Sequence, residues 1–270
     1  MKTACLLSLS ILCTSLYAQT EDFPGEENFV YQVKQVDEFI DRFNNSDFTL
    51  IKQYLKDKYN IEEVSRSELI KSLFNHADTS WNKEDIVQFL ADVTENVPPP
   101  YLDFYDNDWY AELDCMGSYK GKTENFTLIL KIETVESTGG AKWVIESVSA
   151  DFLSLPESKD YRKALNPASY GTDFLGLIDA LADTANYQNY ISSKAQPSQL
   201  LLFFNELYEK NLTFKQVNDI TYHFLQIDHW IFQVHDFKRD TKNSGWLISS
   251  LLKANDTQKQ QYKERVLYLK

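Results

Sequence analysis

Three consecutive prolines, Pro98-Pro99-Pro100, stand where the spacing of the apolar residues changes, and that change constrains the fold more than any other feature. Proline fixes φ and lacks an amide hydrogen, so no helix runs through this point. Before it, Phe29, Val33, Val36, Ile40 and Phe43 recur at steps of three and four, the stripe of an amphipathic helix ended by Asn44-Asn45. A second helical segment carries Phe48, Ile51, Tyr54 and Leu55. Ser65-Arg66-Ser67-Glu68 reads as a capping box ahead of Leu69, Ile70, Leu73 and Phe74. Asn82 caps a further helix bearing Ile86, Phe89, Leu90 and Val93.

After the prolines the period is two. Trp109, Ala111, Leu113, Cys115 and Tyr119 share one face of a strand, with Tyr110, Glu112, Asp114 and Ser118 on the other. Phe126, Leu128, Leu130 and Ile132 mark a second strand, and Gly139-Gly140 turns into a third from Trp143 to about Phe152. Short turns between alternating runs predict an antiparallel meander. Residues 156–171 read as a polar linker. Helices resume at Thr172, with Phe174, Leu175, Ile178 and Leu181, and the run 198–208 is apolar nearly all round. Thr213 is expected to cap a helix turning Val217, Ile220 and Phe224 inward. Strands from Trp230 to Phe237 and from Trp246 to about Leu252 follow, and a last helix presents Tyr262, Val266 and Leu269.

The expected fold class is therefore α+β, with helices packed on curved antiparallel sheets in two related units, 29–155 and 172–270. Three pairs of segments suggest the relation: Ser67-Glu68-Leu69-Ile70 with Ser198-Gln199-Leu200-Leu201; Asp85-Ile86 and Phe89-Leu90 with Asp219-Ile220 and Phe224-Leu225; and 143–148 with 246–251. On this reading the second unit lacks the strand that begins at Trp109. The first half resembles the nuclear-transport-factor-2-like (cystatin-like) superfamily. The resemblance rests on the stripe from Phe29 to Phe43, the strand Phe126-Thr127-Leu128-Ile129-Leu130, and Gly139-Gly140-Ala141-Lys142-Trp143 leading into Val144-Ile145-Glu146-Ser147-Val148. It implies helices on one face of a cone-shaped sheet with an open mouth. It leaves the reaction open, since members include isomerases, dehydratases, scaffolds without chemistry and exported proteins of unassigned activity.

Residues 1–18 read as a secretory signal: Lys2, an uncharged stretch from Ala4 to Leu16, and a cleavage site after Ala18. A flexible leader, 19–28, follows. Export to the periplasm or outside the cell is the expected destination. Cys5 and Cys13 would leave with the signal, so Cys115 would remain without a disulfide partner. The net charge of −13 argues against nucleic-acid partners. No later stretch is apolar and long enough to span a bilayer.

Asp103, Asp106, Asp108, Glu112 and Asp114 invite a calcium reading, but the run lacks the central glycine and closing glutamate of a calcium loop. It also fits a turn and cap before the first strand. Neither a metal nor a cofactor is expected. His76, His223, His229 and His235 form no metal-clamp spacing, and His223 would border an apolar helical face. For acid–base chemistry the candidates are His235, with Asp236 beside it in sequence, and Asp114. Both equally suit the solvated side of a sheet. Cys115 falls on the apolar face of its strand, away from any base. Tyr101, Phe104, Tyr105, Trp109 and Tyr110 cluster after the prolines. As a mouth, Tyr101, Tyr105, Trp109 and Tyr110 would bind a small apolar ligand or a partner protein; as a plug they would be ordinary core. A non-catalytic binding or interaction module is the leading expectation, with a pocket enzyme of isomerase, dehydratase or hydrolase type as the alternative.

Overall fold

The computed structural model describes residues 26–135, 139–153, 182, 186–191 and 198–269. The stretch read as a secretory signal, most of the expected leader, the expected linker 156–171 and the helix expected from Thr172 lie outside them. Five helices come first: α1 (Glu26–Tyr31), α2 (Val36–Asn44), α3 (Leu50–Tyr59), α4 (Arg66–Ser72) and α5 (Lys83–Thr94). A meander follows, β1 (Trp109–Tyr119), β2 (Lys122–Val135) and β3 (Gly140–Ser149). Then come α6 (Gln199–Tyr208), β4 (Leu212–Phe224), β5 (Trp230–Phe237), β6 (Gly245–Lys253) and α7 (Asp256–Arg265). All six strands form one antiparallel sheet in the order β3-β2-β1-β4-β5-β6.

Helix starts follow the sequence. The Ser65 side chain accepts from the Glu68 amide, and that of Asn82 from the Glu84 amide. Asn255 and Gln258 complete a capping box at α7. The stripe from Phe29 to Phe43 is not one helix, however. It breaks at Val33, whose amide donates to Ser244 O and whose carbonyl accepts from the Trp246 amide. Edge-strand pairing takes the backbone groups that a continuous helix would have used. Phe29 is consequently exposed, whereas Val33, Phe39 and Phe43 are buried.

The segment from Thr213 is likewise a strand and not a helix. It is β4, paired with β1 along the whole of the latter. The likeness of 219–225 to 85–90 thus falls, since one is strand and the other helix α5. The second half therefore holds three strands and not two, with β4 in place of the expected helix. Trp143 and Trp246 lie in β3 and β6, the two outermost strands.

One core lies between the sheet and α2, α4 and α5. Trp109 and Phe224 face each other across β1 and β4 with ring centres 5.1 Å apart. Phe224 then stacks on Phe232 at 5.0 Å, and Phe232 on Phe43 at 6.0 Å. Fully burying each such ring is worth about 1.5–3 kcal/mol. Farther along the same face, Phe203 of α6 covers Cys115, Phe126, Leu128 and Val148. Among the described residues, α7 and the tail after it pack on the opposite face, over Tyr110, Ile129 and Ile231.

Gly245 permits the contact that closes the β6 edge. Its φ is +83°, and a Cβ there would sit 2.0 Å from the Val33 carbonyl oxygen. Gly245→Ala is expected to cost about 2–4 kcal/mol through backbone strain and clash, read as a lowered urea midpoint with an unchanged slope.

Candidate functional site

The sheet face that α7 leaves partly open carries most of the ionisable side chains of its central strands. By alternation β1 contributes Glu112 and Asp114 to it. Asp219, Thr221 and His223 of β4 stand opposite Asp114, Glu112 and Tyr110, and Gln233 and His235 of β5 stand opposite His223 and Thr221.

His223 is fully buried there. Its Nδ1 lies 2.7 Å from the Tyr262 hydroxyl, which also accepts from Gln233 Nε2 at 2.9 Å. That assigns the tyrosine proton to His223 Nδ1 and leaves the imidazole proton on Nε2. Glu112 Oε2 sits 2.7 Å from Nε2, but outside hydrogen-bond alignment, so this contact is electrostatic. The remaining pull on the Tyr262 hydroxyl is burial, which raises its pKa to about 12.

His235 is closed in the same way. Thr221 Oγ1 lies 2.5 Å from its Nε2 and Ser249 Oγ 2.6 Å from its Nδ1. Ser249 donates to the Gln233 carbonyl, so its oxygen accepts from Nδ1–H and Thr221 donates to Nε2. Asp236, its neighbour in sequence, pairs loosely with Lys238 instead. Burial lowers the His235 pKa, which nearby Asp219 partly offsets. Asp114 is shifted upward, by burial first and then by the charges of Glu112 and Asp219. Burial pushes the Cys115 thiol up to about 11, which leaves it a weak nucleophile.

The four aromatic residues singled out after the prolines are not brought together. Trp109 is in the main core, and its indole N–H donates to the Phe104 carbonyl. Tyr110 is buried on the other face. Tyr101 is 55% exposed beneath the Arg66 guanidinium, 4.4 Å away, and Tyr105 is 59% exposed against Phe104. In the acidic run, Asp103 Oδ1 accepts from the Tyr105 amide and Asp106 Oδ1 from the Asp108 amide, while Asp108 binds Lys263. These are turn and tether contacts.

Four β-bulges interrupt the pairing of the sheet. Each inserts one extra residue: Lys215 and Asn218 in β4, Glu146 in β3 and Ser249 in β6. Ser249 is the residue that holds His235. Asn218 lines a groove of about 460 Å³ and Glu146 another of about 520 Å³, and Ser149 and Tyr268 belong to both. A further cavity of about 570 Å³ beside α3 shares no residue with this region.

Sequence reasoning missed His223, Glu112 and Tyr262 as a unit. The signal was present, because Asp219, Thr221 and His223 alternate with Ile220, Tyr222 and Phe224. No known protein family, curated protein or solved structure matches this chain.

The depressed His235 pKa carries a pH signature. The unfolded chain takes up a proton near the ordinary 6.5, while folded His235 stays neutral to lower pH. Its contribution to stability is therefore full above that value and lost as pH falls through it. Asp114, with a raised pKa, acts oppositely: its contribution is greatest in acid and lost as pH rises through its folded pKa, nearer the carboxylate range. Between about pH 7.5 and 5.5, the wild-type melting temperature is expected to fall more steeply than that of His235→Gln in parallel thermal scans.

Proposed function

We propose that the chain is an exported, non-catalytic binding module built on the nuclear-transport-factor-2-like plan. On this reading its two meanders are related halves, and its ligand sits on the open sheet face and not inside the cone. The observation that carries the reading is the filled interior. Trp109, Phe224, Phe232, Phe39, Phe43 and Phe89 pack ring against ring where such a cone would need a cavity. His235 has both ring nitrogens hydrogen-bonded within the fold, and His223 is fully buried with Nδ1 on Tyr262 and Nε2 against Glu112, so neither presents a free nitrogen at the surface. Export is supported by residues 1–18, with their uncharged core and the cleavage site after Ala18.

Acid–base chemistry, the alternative, draws on Asp114. It lines the groove beside Asn218, and burial with two carboxylate neighbours raises its pKa. Among the described residues no wall encloses that groove against water, which weakens the case for it as a general acid.

An amide-resolved NMR screen of the chain from Gln19 onward against a fragment library separates the two. Ligand-induced shifts are expected at Asp114, Thr127, Ser149 and Tyr268, with the ligand recovered unchanged. Shifts centred on Trp109, Phe224 and Phe232, or conversion of the ligand that Asp114→Asn abolishes, would contradict the proposal.

A further inference from the structure

We propose that the two grooves flanking Tyr268 form one continuous site for a neutral oligosaccharide, an inference that rests on reading the chain as a binding module. The residue between them is held in an unusual way. Tyr268 follows α7 with φ of +54°, a left-handed conformation that commonly belongs to glycine after a helix. Its neighbours pin it from both sides. Leu267 is fully buried and its carbonyl accepts from Ser147 Oγ at 2.8 Å, while the Leu269 amide donates to Lys263 O at 2.9 Å. The tyrosine ring itself is left 46% exposed. A bulky side chain kept on a backbone that suits glycine, and then not buried, adds nothing evident to packing. Strained residues of this kind gather at ligand sites.

The groove walls say what the ring would meet. On one side stand Asp114, Asn125, Thr127, Asp151 and the bulge residue Asn218. On the other stand the bulge residue Glu146 with Ser147, Ser198 and Gln199. Bulges commonly re-aim side chains beside binding sites, and here one serves each groove. Among the described residues the side chains of Thr127, Ser149 and Asp151 make no hydrogen bond within the protein. Hydroxyl, amide and carboxylate groups around an exposed aromatic face match a sugar. Its hydroxyls both donate and accept, and its C–H face lies on the negative π-surface. Among the described residues neither wall contains a lysine or arginine, and although Glu146 pairs with Lys131 at 2.9 Å, Asp114 and Asp151 repel phosphate, sulfate or uronate groups. Neutral polar side chains outnumber the carboxylates, which favours a polyol over a cation. Two grooves meeting at one ring, each within the usual volume of a small-molecule site, suit a chain of several sugar units more than one.

The test is isothermal titration, with amide NMR, of the chain from Gln19 onward. The probes are neutral tetrasaccharides of glucose, mannose, galactose and N-acetylglucosamine, a uronic-acid tetramer and tetralysine. At least one neutral tetramer is expected to bind and to shift Thr127, Ser149 and Tyr268, with the uronate at least about tenfold weaker. Tyr268→Ala should weaken binding about tenfold and Tyr268→Phe should retain it, because stacking and not the hydroxyl is used. Tyr268→Gly should lose binding equally while its melting temperature stays level or rises, an outcome that a purely structural tyrosine would not give. The inference is overturned if no neutral tetramer binds, if tetralysine binds more tightly, or if Tyr268→Ala binds like wild type. Should sugars fail while the fragment screen places another ligand in these grooves, the sugar class falls and the binding module stands. Should the screen also leave both grooves unshifted, both readings fall.

Discussion

Eleven residue pairs join β1 to β4, and this pairing decides where both halves of the chain can go. It sets Trp109 against Phe224 and Tyr110 against His223. One face of the sheet centre therefore becomes a stack of aromatic rings, and the other a buried polar chain. The helices α2, α4 and α5 can then cover only the aromatic face, where Phe39, Phe43, Ile70 and Phe89 find partners. A register slip of one residue would exchange the two faces, leaving Trp109 in water and His223 among phenylalanines.

The polar face follows from the same alternation. Burying His223 requires partners for its ring, and the fold supplies a hydrogen bond with Tyr262 of α7 and an electrostatic contact with Glu112 of β1. Burying His235 partway requires the same, and a bulge supplies Ser249. These histidines tie α7 and β6 to the centre of the sheet. At the rim, the α7 tail that carries Tyr268 is fixed by Ser147, whose hydroxyl donates to the Leu267 carbonyl. No helix among the described residues is long and apolar enough to cross a membrane.

Much of this was legible in the sequence. The period change after Pro100, the faces of β1, the burial of Cys115 and the strands at Trp143 and Trp246 all follow from local alternation and turn glycines. The reading of 213–224 as helix failed for a definite physical reason. The bulge at Asn218 advances the chain by one residue, so Val217 and Ile220, three apart, both face the aromatic side opposite Cys115 and Leu113. That spacing imitates one turn of helix. The same happens at Ile145 and Val148 around Glu146, but there Gly139 and Trp143 bias the reading toward strand. The break at Val33 was not legible, since its cause is a distant edge, the Gly245 turn. Nor was the groove at the rim, because residues 114, 127, 149, 218 and 268 meet only once the strands and the tail are assembled.

Native-state hydrogen exchange under increasing urea tests the central pairing most directly. If β1 and β4 bind both meanders into one sheet, the slowest amides of β1, β2, β4 and β5 should converge on a single opening free energy equal to that of global unfolding. Two separate isotherms, with β1–β3 opening at one free energy and β4–β6 at another, would show that the halves fold apart and that β1–β4 pairing does not hold the structure together.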